Sequence, residues 1–333
     1  MKPRAISFGR TAILAAAISV GATAGAFANG TTATYPNQSI RWIVQAPPGG
    51  ITDALARTVA DGLQKRLKTS VVVESRPGGL NLIGTNMALK APADGYTLVS
   101  FPSQLVTGPF LYADGRFPAD PLKVLKPLSI LAQIPNAVLV AADSPLKSFD
   151  DFKAKYQKDG GALYGSPGAG SIVHMAGESL KAVTGIKADP VHYSGSSPVS
   201  IDLVGGQVPF AIDNIPPYLS FLKEGRVRAL AILGQKRSAL LPDVPHMGEL
   251  GYPDYEGNGW QGVAVRSETS PEIVQALEQA IQDVMADPEV RAKLERIGFI
   301  PVGSNADDSA QWIKNEMERW GGVIRANNIK IGE

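Results

Sequence analysis

The sequence predicts an α/β protein built as two domains joined by a double crossing of the chain. Three observations carry this. Short apolar segments alternate with amphipathic helical ones from residue 40 to about 102, and a second such series starts near residue 148. Two strand-like stretches, the uncharged Leu128–Ala142 and the similar Val227–Leu233, whose one charge is Arg228, flank the second series as outgoing and returning connections. Some 305 residues remain after a removable leader, long for one core and suited to two.

The leader is residues 1–28. Lys2, Arg4 and Arg10 form a basic start, Thr11–Val20 is a short apolar run, and Ala26-Phe27-Ala28 reads as a cleavage site. The run is too short and too rich in small residues for a membrane span, so a secretory signal cleaved near Ala28 is expected. The whole chain carries 32 Lys and Arg against 31 Asp and Glu, a formal +1. Without the three leader cations it stands at −2, a balance with no general field for nucleic acid or anionic membrane. Cysteine is absent, which excludes disulfides, thiolate metal sites and a lipid-modified N-terminal Cys. An exported chain without an anchor is best retained between two membranes, so the periplasm is expected.

The first strand is Ile40–Gln45. It runs through Ala46-Pro47-Pro48-Gly49-Gly50 into a helix, Ile51–Leu67, whose Ile51, Leu55, Val59, Leu63 and Leu67 recur every four residues as a buried stripe. Strands at Val71–Glu74 and Tyr96–Phe101 and a helix at about Leu82–Lys90 follow, and the alternation argues for a parallel sheet. The second series gives helices at about 148–158, 171–184, 197–205 and 217–224 and strands at about 162–166, 189–193 and 208–213. Beyond the Pro-rich Leu241–Pro245 come a strand near Gly262–Val265 and a helix capped by Ser270 that breaks at Asp287-Pro288 and resumes to Ile297. The closing helix has a capping-box pattern at Ser304…Asp307 and the stripe Ile313, Met317, Trp320, Ile324. The expected domains are 29–135 with 230–333, and 136–229, with a cleft between them.

Enzyme signatures are sparse. The three histidines, His174, His192 and His246, share no metal-ligand spacing, and no G-x-S-x-G elbow occurs. The string Gly257-Asn-Gly-Trp-Gln-Gly262 resembles a dinucleotide motif but precedes a strand rather than a helix. No cofactor, metal or catalytic residue is expected. Turns that aim free N–H groups at an anion are the recurrent feature. One is Pro48-Gly49-Gly50-Ile51-Thr52, a second is Tyr164-Gly-Ser166-Pro-Gly168-Ala-Gly-Ser171, and a third is Tyr193-Ser-Gly-Ser196-Ser-Pro198. The first belongs to one domain and the others to the second, so a closing cleft would point helix N-termini at a ligand from both sides. A small carboxylate could be held this way without arginine; mono-, di- and tricarboxylates, aromatic acids and amino acids all stay open, and a diacid is the first expectation.

Individual side chains keep a structural alternative. Asp53 either orients its loop or caps its own helix. Thr52 and Ser171 either donate to a carboxylate or cap. Ser103, just past a strand end, is a candidate by position. His174 is a packed side chain or a ligand contact, and Tyr193 lines the cleft or anchors a core edge. Asp213 would accept from an amine or hydroxyl of the ligand. Trp260 is expected in the core.

Strings along nearly the whole mature chain resemble the periplasmic substrate-binding receptors of tripartite tricarboxylate transporters, the Bug family. They include Ala46-Pro-Pro-Gly-Gly-Ile-Thr-Asp53, Val71-Val-Val-Glu-Ser-Arg-Pro-Gly78, Ala91-Pro-Ala-Asp-Gly-Tyr-Thr-Leu98, Gly165-Ser-Pro-Gly168 with His174, Asp202-Leu-Val-Gly-Gly-Gln207 and Leu241-Pro-Asp-Val-Pro245. The resemblance implies a two-domain periplasmic binding protein of the type II, Venus-flytrap kind. It further implies a small organic acid held largely by backbone amides and water, with the Pro-Gly-Gly loop on one carboxylate, and delivery to membrane subunits of a transporter. Two strings depart from the family pattern: Tyr193-Ser194-Gly195 where many members have Tyr-Lys-Gly, and Gly78-Gly79-Leu80-Asn81 where many have Gly-Ala-Gly-Gly. Both bear on ligand identity. A monomer is expected. The competing functions are docking on a membrane sensor kinase and, less favoured, an exported hydrolase, for which no base accompanies Ser166 or Ser171.

Overall fold

The computed structural model describes residues 35–112, 114–158, 161–329 and 331. The leader and its cleavage site lie outside the described residues. In chain order the first elements are β1 (Ile40–Val44), α1 (Ile51–Leu67), β2 (Val71–Ser75), α2 (Leu82–Leu89), β3 (Thr97–Pro102), α3 (Gln104–Leu111) and β4 (Leu125–Ile134). Then come β5 (Asn136–Ala141), α4 (Phe149–Lys158), β6 (Ala162–Ser166), α5 (Ile172–Thr184), β7 (Ala188–His192), α6 (Ser196–Val204), β8 (Ala211–Asn214), α7 (Leu219–Lys223) and β9 (Val227–Ile232). The chain closes with β10 (Gly259–Arg266), α8 (Pro271–Ala286), α9 (Pro288–Arg296), β11 (Ile300–Pro301) and α10 (Ala306–Ala326).

Two sheets result, ordered β11-β4-β10-β3-β1-β2 and β7-β6-β8-β5-β9. Neither is wholly parallel as the alternation suggested. Strands linked by helical crossovers run parallel, β1 with β2 and β3, and β6 with β7 and β8. The strands at the two crossings run antiparallel to their neighbours: β4 and β3 against β10, β5 against β8 and β9. Insertion of β10 between β3 and β4 puts the two ends of the chain in one core, where Trp42, Leu55, Leu63, Leu128, Val263, Leu277 and Ile281 are buried together. Burial of each such side chain contributes about 1.5–3 kcal/mol, which is how the four-residue stripe of α1 is repaid. Gly62 of α1 lets α8 approach closely, since a Cβ there would lie 2.5 Å from Val284.

The chain passes from the first sheet to the second at Pro135 and returns between Leu233 and Asn258. These crossings are stitched to each other. The Asn136 side chain donates to the Gly257 carbonyl at 2.7 Å, and its backbone N–H donates to Asn258 Oδ1 at 3.1 Å. Leu233 N–H donates to the Asn136 carbonyl and Gly257 N–H to the Leu233 carbonyl.

Several local expectations shift. The return stretch Val227–Ile232 is a strand of the second sheet, and the passage itself comes after it. The strand expected at 208–213 starts at Ala211, and the helix expected at 217–224 opens as a 3₁₀ turn, Pro216–Tyr218. The last helix is capped by Asn305, which accepts from Asp308 N–H at 2.7 Å, while Ser304 accepts from Ile130 N–H of β4. Helix α3, with Gly108 and Pro109 in its interior, is not among the elements expected from sequence. Trp260 is in the core, and its indole donates to the buried Glu316 at 2.8 Å.

Candidate functional site

The Pro-Gly-Gly turn is organised from behind by Asp53. Its carboxylate takes the Gly49 N–H at 2.9 Å, both arms of the Arg57 guanidinium at 2.8 and 3.0 Å, and the Ser75 hydroxyl at 3.1 Å. Burial works against the charge, but these bonds outweigh it and hold the carboxyl below its ordinary range. Asp53 therefore orients the loop rather than capping its own helix, and Arg57 neutralises it. The Gly49 N–H is consumed by Asp53 and the Gly50 N–H by the Pro47 carbonyl at 3.2 Å. The first donors left without an acceptor among the described residues are those of Ile51, Thr52 and Asp53, at the start of α1.

The second turn is built in the same way. Ser171 caps α5, accepting from His174 N–H at 3.1 Å and donating to the Gly168 carbonyl at 2.8 Å. His174 Nδ1 accepts from Gly170 N–H at 3.1 Å. Burial, with His192 at 4.4 Å between ring centroids and Lys181 beyond it, pushes the His174 imidazole down to about 4. The ring is neutral near pH 7 and acts as a fixed acceptor for the loop. The Ile172 and Val173 N–H groups stay without an acceptor among the described residues.

These two helix starts face one cavity of about 180 Å³ between the sheets. From the first side it is lined by Ile51, Thr52, Ser103, Gln104, Ile134, Gly259 and Gln261, and from the second by Pro167, Ser171, Ile172, Val173 and Asn214. No charged side chain is among them. Gln261 donates to the Thr52 hydroxyl at 3.2 Å, which leaves that hydroxyl's proton for a ligand. The Oε1 atoms of Gln104 and Gln261 are buried without a partner among the described residues. A buried amide in that condition costs about 1–3 kcal/mol until it is met, and a rotated amide offers N–H instead of C=O. The larger concavity, about 730 Å³ between α1, α8 and α9, is a different kind of surface. There charges of both signs pair off, Arg66 with Asp283 at 2.7 Å and Lys293 with Asp61 at 3.8 Å.

Of the residues singled out from sequence, Ile51, Thr52, Ser103 and Ser171 line the cavity, while Pro48, Gly49, Gly50 and Asp53 shape the turn behind it. Ser166 is fully buried at the end of β6, its hydroxyl without a partner among the described residues, next to the lining Pro167. Gly168 and His174 support the α5 turn. No residue of the third turn lines this cavity, although the turn abuts the second through Tyr193 N–H, which donates to the Ser166 carbonyl at 2.9 Å. The Tyr193 hydroxyl donates to Asp202 at 2.8 Å and Ser196 to Asp213 at 2.8 Å. Asp213 is fully buried and also accepts from Tyr218 OH and Asn214 N–H, at 2.9 and 2.7 Å. Burial, against these bonds, raises its carboxyl to about 6. Its oxygens serve the protein here, in place of the ligand amine or hydroxyl expected, and the next residue, Asn214, reaches the cavity instead. Gln104, Asn214 and Gln261 were missed. All three carry amides near strand termini, Asn214 at the last position of β8, Gln104 two residues past β3 and Gln261 third in β10, and that is the feature that would have marked them.

Two α/β bodies joined by a double crossing, with helix N-termini from each turned on an uncharged cavity, have the architecture of a solute-binding clamshell. Comparison with known proteins gives the same class. The profile of the tripartite tricarboxylate transporter family receptor matches residues 55–329. The protein BugT of Bordetella pertussis is 35% identical over 314 residues, 93% of this chain and 95% of that one. The periplasmic binding protein BugD superposes with a TM-score of 0.76 at 25% identity, covering 89% of this chain and all of that one. An R. palustris protein solved with adipate superposes with a TM-score of 0.80 at 30% identity, covering 89% of this chain and 100% of that one. The chain belongs to the tripartite tricarboxylate transporter receptor family, whose members are periplasmic binding proteins.

Proposed function

We propose that this chain captures a small organic carboxylate in the cavity between its two sheets, closes on it, and delivers it to the membrane subunits of a tripartite transporter. The observation that carries the reading is the convergence of two helix starts, Ile51-Thr52 and Ile172-Val173, on a cavity lined by no charged side chain. Each charge-assisted hydrogen bond contributes roughly 1.5–3 kcal/mol and each helix end about 0.3–1 kcal/mol. After ordering costs, a few of these support affinity near micromolar, about −8 kcal/mol. The two closing bodies in this reading are the one built on the first sheet, up to Pro135 and again from Asn258, and the one built on the second sheet from Asn136 through β9; the boundary expected at 229–230 would divide β9. The stitched crossings at Asn136 and Asn258 are the hinge, and export follows cleavage near Ala28.

The test is a thermal-shift screen of residues 29–333 against mono- and dicarboxylates, adipate included, with neutral amides of the same acids as controls. At a hundredfold over its dissociation constant, a ligand of the folded state adds about 2.7 kcal/mol. The reading expects a shift with one or more free acids and none with their amides. Shifts with neither set, or equal shifts with both, would overturn it.

A further inference from the structure

A second, smaller cavity of about 120 Å³ adjoins the first, and Gln104 and Ser171 line both. Its other walls differ in character. Tyr112 and Phe117 stack with ring centroids 5.3 Å apart, and both line it together with Leu80. Gly108 of α3 has room for no side chain here, since a Cβ would fall 2.4 Å from the Phe117 ring. That ring is therefore laid flat on the helix that also carries Gln104. The 169–171 turn closes the other side, so this chamber, like the first, has walls from both sheets' bodies. No charged side chain lines it.

Leu80 sits in this wall at a cost. Residues 78–81 all have positive φ, and Leu80 itself is left-handed at φ 57°, ψ 41°. A leucine in that region is disfavoured by roughly 1–2 kcal/mol, and glycine would occupy it freely. The side chain is 42% exposed, so core burial does not repay the strain. Strain of this kind collects at ligand contacts.

We infer that the two cavities are halves of one bipartite site, and that the ligand is a carboxylate bearing an uncharged apolar arm, aryl or branched alkyl. The acid group lies between the α1 and α5 starts, and the arm rests on Leu80, Tyr112 and Phe117. The Gln104 amide stands at the junction, available to a polar group where head and arm meet. This rests on the carboxylate-receptor reading above and narrows it.

The experiment is calorimetric titration of the mature chain with acids matched in head group and differing in arm: acetate against phenylacetate and 3-methylbutanoate, succinate against phenylsuccinate. The arm-bearing member of each pair is expected to bind at least tenfold tighter. In Leu80→Gly, which relieves the backbone, and Leu80→Asn, which tolerates a left-handed φ, that advantage is expected to fall below threefold with the compact acids unchanged. Leu80→Met is expected to keep it. Equal or tighter binding of the compact acids by the unaltered chain would overturn the apolar-arm assignment and leave the receptor reading standing. The same holds for an arm advantage that survives in Leu80→Gly and Leu80→Asn alike. Binding of no acid in either set would overturn the apolar-arm assignment, and the receptor reading falls with it only where the wider carboxylate panel, adipate included, gives no shift either.

Discussion

Replacing Ile51 with proline removes one backbone donor from the cleft and leaves its helix standing. Ile51 is the first residue of α1, where the N–H has no helical acceptor and proline is well tolerated. The preceding Gly50, at φ −70° and ψ 167°, already has the extended conformation that a following proline requires. The loss is thus one charge-assisted hydrogen bond, about 1.5–3 kcal/mol, or a dissociation constant raised by about 10- to 150-fold. Ile51→Ala serves as reference, because it loses the same side-chain contacts but keeps the N–H. Calorimetric titration of both variants with the tightest acid of the panel, after circular dichroism has shown matching helix content, reads the difference directly. Affinities within about twofold of each other would refute the claim that this N–H grips the ligand.

Other consequences are as specific. Gly49→Ala forces a side chain into φ 80° and is expected to cost about 1–2 kcal/mol. Gly50→Ala, at ordinary φ with its Cβ 3.3 Å from the Pro47 carbonyl oxygen, is expected to cost well under that in denaturant titrations. Asn136→Ala strips a buried bond from the stitched crossings and should lower unfolding free energy by about 1–3 kcal/mol, read the same way. His174 has a folded-state pKa of about 4 against an ordinary 6.5. The unfolded chain therefore takes its proton first, and stability from the neutral ring is lost as pH falls from about 6.5 to 4, in all about 3 kcal/mol. Asp213, raised to about 6, acts with the opposite sign, its ionisation costing stability as pH rises from about 4 to 6. The difference between the parent and His174→Gln, followed by denaturant unfolding at pH 7 and pH 4.5, isolates the histidine; no pH-dependent difference would contradict its buried neutral state.

Much of this was legible in the sequence, for physical reasons. The four-residue stripe of α1 and the strand–turn–helix at residues 40–57 are local patterns, and they define both the first core and the first helix start of the cavity. The cap of α5 is equally local, a serine three residues ahead of the N–H it accepts. What was hidden depends on pairing across the chain. That β10 lies between β3 and β4, making the sheet mixed, is decided by long-range register and not by any window of residues. Gln261 meets Thr52 across 209 positions, and Gln104 rides on a helix whose Gly108 and Pro109 disguise it. Asp213 looked like a ligand acceptor from its place at a strand end. Its partners, the half-buried Ser196 and the buried Tyr218, come from the flanking turns, and they take up the capacity that the strand-end position seemed to offer.

The most direct test of the central claim is amide proton NMR of the deuterated mature chain during titration with a binding acid. If both helix starts hold the carboxylate ligand, the amides of Ile51, Thr52, Ile172 and Val173 move downfield together with one shared dissociation constant. Movement of one pair alone, or saturation by ligand with all four unmoved, would contradict it.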